Sequence, residues 1–286
     1  MMQVEIDLEN AIKFIKGKQI DIKHYKPVQI YSDYSLKHFK NYKLENRNVL
    51  TRLGSYHEVA DLASYNANVT CYSANRFDIY FLNLFITSFN LLYEDHFNYF
   101  IKNYKNYTQT FSYKIYELFR GKLSDHTRFF FDELYKKFNG LEMLNSGIIS
   151  DTKYSYEIFL KTVRHFLSGK YSIEKMNKIT YINIEEDDLL NKLINEETKF
   201  NFINLSYNLD KINSREFVNI CNSLEHFSKI LSEHGKVQVF TTKDADIILP
   251  EFKRIQTRSI DDTETNKNDC KKEYAYMYTK ENNIDK

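Results

Sequence analysis

Residues 48–90 read NVLTRLGSYHEVADLASYNANVTCYSANRFDIYFLNLFITSFN, and their punctuation sets the architecture. Asn48–Leu53 is a short run suited to a strand, closed at once by Gly54 and Ser55. From His57 to Ser64 the spacing is helical, with Val59, Leu62 and Ala63 on one side. Asn68–Tyr72 is a second short strand. Asn75 then precedes a long apolar helix that begins at Arg76. Strand, glycine turn, helix, strand and helix make a βαβ unit, which implies parallel strands.

The same rhythm returns downstream. Lys178–Ile184 (KITYINI) reads as a strand, and the acidic run Glu185, Glu186, Asp187, Asp188 opens a short helix. Phe200–Ser206 (FNFINLS) is a fourth strand. Asn213 and Glu216 have capping-box spacing, so a helix is expected over Ser214–Leu231, with Gly235 as its C-terminal glycine. Lys236–Thr241 (KVQVFT) is a fifth strand. Beyond Pro250, Phe252–Ser259 and Lys272–Lys280 flank a polar loop, Asp261–Asp269, as the strands of a terminal hairpin. Between the two α/β stretches the chain is aromatic-rich and helical in pattern. Helices are expected over Tyr93–Tyr104, from Ser124 as N-cap to Phe138, and over Lys153–Leu167, with a loop over Asn139–Ser150. The expected fold is α/β: a doubly wound, Rossmann-like sheet of the class I methyltransferase type with a helical insertion. Its parts are an N-terminal helical or irregular segment (1–47), the first half of the sheet domain (48–92), the insertion or cap (93–170), and the second half with its hairpin (171–286).

Composition narrows the functional classes. In 286 residues, 40 Lys and Arg stand against 39 Asp and Glu, a net charge of +1. A surface that tracks phosphates needs a clear basic excess, so no nucleic-acid partner is expected. With no Trp, 23 Tyr and 22 Phe must supply most of the core bulk. Cys71, Cys221 and Cys270 are widely spaced and form neither a disulfide framework nor a zinc set. The opening MMQVEIDLENAIKFIKGKQ has early acids and no apolar stretch of signal-peptide type. No run reaches the ~20 apolar residues of a membrane span. A cytoplasmic location is the expectation, and the lysines between Lys13 and Lys26 leave peripheral membrane contact open.

Ligands of doubly wound sheets sit outside the carboxyl ends of the strands, so the residues just after each strand are the candidates. Gly54, Ser55 and Tyr56 follow the first. A small residue there admits a ligand close to the backbone, and the helix N-terminus behind it favours an anionic group. Ser73 and Asn75 follow the second as neutral hydrogen-bonding groups. Glu185 follows the third, where it accepts from an amino group. Ser206, Tyr207 and Asn208 end the fourth strand, and Asn204 lies within it. Each has a plainer reading. Gly54 is then a turn glycine, Asn75 a helix cap, and Glu185 one of several acids favouring a helix N-terminus. His57, His96, His126 and His165 have no metal-binding spacing, and no P-loop, zinc pattern or Ser-His-Asp elbow occurs. No metal is expected.

Val49–Phe97 (VLTRLGSYHEVADLASYNANVTCYSANRFDIYFLNLFITSFNLLYEDHF) resembles the family that contains the betaine-lipid synthase transferases. The likeness is carried by the first strand with small residues after it, by Asn75 before a long helix, and by Tyr93-Glu94-Asp95-x-Phe97. FNFINLSYNLD (Phe200–Asp210) and GKVQVF (Gly235–Phe240) resemble the family's fourth and fifth strands. The resemblance implies transfer of a 3-amino-3-carboxypropyl group from S-adenosylmethionine to an acceptor. Gly54 and Ser55 would then approach the methionine part, Asn75 the ribose and Glu185 the adenine. Asn204, Ser206, Tyr207 and Asn208 would face a small-molecule or lipid acceptor. The chain departs from the family twice. Tyr56 and His57 stand where the family has glycine and an acid, and Ser73 replaces the acid that holds the ribose. A non-catalytic binding or regulatory protein on the same fold is the alternative.

Overall fold

The computed structural model describes residues 2–30, 39, 42–89, 113–150, 172–208, 214–241, 252–261 and 272–280. The helices expected over 93–104 and 153–167, Asn213, Cys270, and the polar loop after Asp261 lie outside them. In chain order the described elements are α1 (Met2–Ile15), β1 (Asn48–Arg52), α2 (Tyr56–Ser64), β2 (Asn68–Ser73), α3 (Phe77–Phe89), α4 (Tyr113–Arg120), α5 (Asp125–Tyr135), α6 (Gly140–Asn145), α7 (Ile173–Met176), β3 (Ile179–Asn183), α8 (Glu186–Asn195), β4 (Phe200–Asn208), α9 (Ser214–Ile230), β5 (Leu231–Thr241), β6 (Phe252–Asp261) and β7 (Lys272–Lys280). Contacts group the chain into two compact units, Met1–Tyr31 with Ala74–Met176 and Ser32–Ser73 with Asn177–Lys286. The first is helical; the second holds the sheet. α3, expected with the first half of the sheet domain, groups with the helical unit.

Among the described residues, seven strands form one sheet in the order β3-β2-β1-β4-β5-β7-β6. The pairs β1–β2, β1–β4, β2–β3 and β4–β5 are parallel, and β7 runs antiparallel to β5 and β6. This is the expected class I methyltransferase-type sheet, closed by the expected hairpin. The strands grow outward from β1 to β3 and restart at β4, so the topological switch lies between β1 and β4.

Side-chain alternation explains the layers. One face of the sheet carries Leu50, Tyr72, Ile203, Leu205, Val237 and Val239. Leu189, Leu190 and Leu193 of α8, and Leu224, Phe227 and Ile230 of α9, pack on that face. Their spacing of three and four is what an amphipathic helix needs to cover a sheet. α2 belongs to the other face. Every one of its residues is buried, His57, Glu58 and Asp61 included.

Two local expectations need correction. Asn139–Ser150 is not all loop: Asn139 caps α6 in a reciprocal capping box with Glu142, ahead of buried Met143 and Leu144. Gly235 does not cap α9, which ends at Ile230 and passes directly into β5. Opposite Phe200 and Phe202 of β4 stand Leu231 and Lys236 of β5, so the residues between bulge out. Gly235 sits in that bulge, where a Cβ would stand 2.6 Å from Leu231 Cγ, 2.7 Å from Cδ1 and 3.0 Å from the Ser232 carbonyl. Leu231 is itself buried in the core and has little room to retreat. Gly235→Ala is therefore expected to cost about 1–3 kcal/mol of stability. An unchanged urea midpoint would mean that Leu231 yields freely.

In the helical unit, fully buried Asp7 of α1 organises a polar knot. Its carboxylate accepts from Arg76 Nε (2.6 Å) and Nη2 (2.9 Å), Tyr80 OH (2.5 Å), Tyr25 OH (2.8 Å) and Gln3 Nε2 (3.0 Å). Burial alone would raise the Asp7 pKa, but Arg76 and the other donors prevail and hold it below the ordinary 3.8. Burial and the Asp7 carboxylate push Tyr25 up to about 12.

Candidate functional site

At the switch point the chain turns tightly out of β1. Leu53 N–H donates to the Tyr72 carbonyl, and Gly54 N–H donates back to the Arg52 carbonyl, each at 2.9 Å. Ser55 is extended and caps α2, its hydroxyl accepting from Glu58 N–H at 3.2 Å. The N-terminus of α2 thus starts immediately after the glycine turn. Along the same carboxyl edge, Ser73 ends β2 opposite Asn183 of β3. The Ser73 carbonyl accepts from Asn183 Nδ2 (2.9 Å) and Ile184 N–H (3.1 Å). Glu185 is the N-cap of α8 without a side-chain capping bond, while Glu186 accepts from Tyr72 OH at 2.7 Å. Gly54, Ser55, Ser73 and Glu185 therefore lie at or just past the ends of three adjacent strands.

Behind that edge runs a buried polar row that no sequence motif announced. Thr51, Asn204 and Gln238 stand in register on β1, β4 and β5 and share one face. Asn204 is fully buried and donates to Glu58 Oε1 at 2.7 Å and Thr51 Oγ1 at 3.1 Å. Asn204 thus ties the fourth strand to the first strand and to the first turn of α2. Gln238 is also fully buried, and among the described residues neither atom of its amide has a hydrogen-bond partner. Burying an unpartnered amide costs about 1–3 kcal/mol, so such a group marks where water or a ligand belongs. One signal was available: polar residues inside otherwise apolar strands, at positions facing α2. At the C-cap of α2, burial and the neighbouring Asp61 carboxylate raise the Tyr65 pKa above its ordinary value of 10.

β4 outlasts β1. Thr51 pairs with Asn204, β1 ends at Arg52, and β4 continues to Asn208. Ser206, Tyr207 and Asn208 accordingly extend past the first strand at the switch. The β4–β5 register also slips there: Asn204 faces Gln238, but Asn208 faces Phe240, so β4 carries extra residues. Bulges of this kind are frequent beside active sites, where they re-aim side chains.

Two other candidates make their own local contacts. Tyr56 is buried as the first residue of α2. Asn75 belongs to the helical unit, where its side-chain oxygen accepts from Lys26 N–H (3.0 Å) and Phe77 N–H (3.3 Å), and its amide donates to the Lys26 carbonyl (3.2 Å). Asn75 therefore caps the start of α3 while pinning residue 26. Among the described residues no cluster of His, Cys, Asp and Glu is arranged to hold a metal ion, and no helix is long and apolar enough to cross a membrane.

No family model matches the chain, and no curated protein matches it. Solved structures of similar shape include the rRNA methyltransferase aviRa from Streptomyces viridochromogenes, 9% identical, covering 90% of this chain and 88% of that one, with a TM-score of 0.45. A candidate methyltransferase in complex with SAH is 7% identical, covers 85% of this chain and 48% of that one, and has a TM-score of 0.38. A candidate methyltransferase from Thermoplasma acidophilum is 7% identical, covers 92% and 85%, and has a TM-score of 0.35. The chain spans about half the length of the second of these. Likenesses this distant carry neither fold nor function; strand order and pairing carry the fold.

Proposed function

We propose that the chain is an S-adenosylmethionine-dependent transferase, with its cofactor site along the carboxyl edge of β1, β2 and β3 and its acceptor site at the β4 bulge. One observation carries this reading: a glycine turn, a helix N-terminus and a strand bulge coincide at the β1/β4 switch. The residues present suit the group in two respects. The Gly54–Ser55 turn ahead of the α2 N-terminus suits a methionyl carboxylate, and Glu185 suits an adenine amino group. At the ribose position Ser73 offers only a neutral hydroxyl, which fits but binds less strongly than a carboxylate. Tyr56 would stand beside the methionyl part.

When bound, S-adenosylmethionine supplies an activated sulfonium leaving group. The protein's own task is to orient an acceptor in line with it and keep water away. Ser206, Tyr207 and Asn208 would meet the acceptor, and Asn204 would act as a positioning residue through Glu58 and Thr51. The sequence resemblance favours 3-amino-3-carboxypropyl transfer over methyl transfer, to a small-molecule or lipid acceptor. The released nucleoside separates the two: methylthioadenosine for the first, S-adenosylhomocysteine for the second.

Calorimetric titration with S-adenosylmethionine and S-adenosylhomocysteine tests the reading. The parent should bind weakly. Ser73→Asp should tighten binding about tenfold, because one regained charge-assisted hydrogen bond contributes ~1.4 kcal/mol. Tight parental binding that the substitution leaves unchanged would show that another residue holds the ribose. No heat from either protein would favour the non-catalytic alternative.

A further inference from the structure

We propose that the opposite, amino edge of the sheet holds a second ligand site, built for a phosphorylated nucleotide. A cavity of about 560 Å³ opens there. That volume lies within the ~300–1,000 Å³ usual for small-molecule sites. It is bounded by Arg47 just before β1, by Asn201 and Phe202 at the start of β4, and by the bulged residues 232–234 at the start of β5. About six residues of β4 separate Phe202 from Asn208, roughly 20 Å at the strand rise of ~3.3 Å. The cavity is therefore distinct from the proposed cofactor site.

Its charge is the first argument. Lys43, Arg47 and Lys236 line it, all three exposed, against a single acidic lining residue, Glu233. Among the described residues, no ion pair or hydrogen bond engages the side chain of any of these three cations. The chain as a whole carries a net charge of only +1, so three cations around one cavity are a local concentration, not a general basicity. An Arg fork with flanking ammonium groups is the arrangement that recognises a phosphate.

Its shape is the second argument. Tyr42 lines the cavity with its ring backed by Phe202, the centroids 5.2 Å apart and tilted by 42°. Phe202 is held in turn by Phe39, edge-on at 6.5 Å. An aromatic wall of this kind suits a planar base. The polar floor is fixed as well. Asn201 accepts from Asn48 N–H at 3.0 Å and donates to Ser232 Oγ at 3.3 Å, which ties β1, β4 and the β5 bulge together. Anion charge and a flat ring together point to a nucleotide rather than to phosphate or a nucleoside alone.

The test titrates the full chain with guanosine and uridine 5′-monophosphates, chosen because they lack adenine, and with the matching nucleosides and inorganic phosphate. A single-stranded oligoribonucleotide forms a separate arm. One of the monophosphates should bind at one site, at least tenfold more tightly than its nucleoside or phosphate alone. Arg47→Gln and Lys236→Gln should each weaken it by about tenfold, the loss of one charge-assisted contact. Excess S-adenosylhomocysteine should not displace it. Tighter binding of the oligoribonucleotide, equally sensitive to both substitutions, would place the same nucleotide chemistry within an RNA strand. Both cations are exposed, so melting temperatures should not change, and they verify the fold of each variant. No saturation by any probe, affinity unchanged in the Arg47→Gln/Lys236→Gln double variant, or displacement by S-adenosylhomocysteine would overturn the proposal.

Discussion

Replacing Asp7 with asparagine should lower stability by about 3–5 kcal/mol, the usual consequence of removing one partner from a buried ion pair. Asparagine keeps one acceptor oxygen but turns an NH2 group toward a ring of donors: Arg76, Tyr25, Tyr80 and Gln3. The Arg76 guanidinium would keep at most one of its two contacts and would lose its charged partner. Tyr80→Phe removes one of the five bonds and should cost only about 1 kcal/mol. Chemical denaturation of the full chain gives the comparison. The pH dependence has a definite sign. Asp7 titrates below its ordinary 3.8 in the native chain, so as pH falls the unfolded chain takes up this proton first. The Asp7 contribution is complete above about pH 4 and is lost as pH drops through the native value. The gap between parent and Asp7→Asn should be constant near neutrality and narrow below about pH 4. An equal gap at all pH values would show that the carboxylate charge is not what the knot stabilises.

Asn204→Asp should be the next most damaging change, on the order of 3 kcal/mol at neutral pH, because it sets a second carboxylate against Glu58 in a site without water exposure. The native contact is a 2.7 Å donation from the Asn204 amide, which also reaches Thr51 at 3.1 Å. Asn204→Leu, nearly matched in size, should cost about 1–3 kcal/mol by leaving both acceptors without that donor. The two variants separate by pH. A carboxyl placed beside Glu58 has a raised pKa, so its penalty grows as pH rises and shrinks when the pair shares a proton. Thermal melts near pH 5 and near pH 7.5 should therefore converge on the parent for Asn204→Asp in acid, while Asn204→Leu stays offset by the same amount. Identical offsets for Asn204→Asp at both values would mean that Glu58 is not its charged neighbour. Because Asn204 ties β4 to the helix behind the Gly54–Ser55 turn, both variants should also weaken S-adenosylhomocysteine binding.

The sheet was legible from the sequence because its first four strands are short apolar runs, each followed by helical spacing, and the last two read as a hairpin. Their joining into one sheet follows from that alternation. The edges were less legible. A glycine shortly after a helix serves a cap or a bulge equally well, and the contact that decides it at Gly235 is with Leu231, already part of β5. The α6 helix was signalled by Asn139 and Glu142 at capping-box spacing, a cue weaker than the loop signal of Gly140 and Gly147. At the candidate site, Gly54, Ser55, Ser73 and Glu185 could be picked out because topology alone nominates residues at the carboxyl ends of strands. Thr51 and Gln238 were hinted at only as polar residues in apolar strands, since the register of β1, β4 and β5 is what brings them beside Asn204, and Glu58 reaches it from α2. Asp7 meets Arg76 and Tyr80 across 69 and 73 residues of chain, a distance at which no local spacing gives warning.

Hydrogen exchange of the full chain, with and without saturating S-adenosylhomocysteine, tests the proposed function most directly. Bound ligand should slow exchange in residues 53–58, at Ser73 and in residues 183–188, and should leave residues 42–47 and 232–236 unchanged. Protection confined to residues 42–47 and 232–236, or no protection along the carboxyl edge at saturation, would contradict the assignment of that edge as the cofactor site.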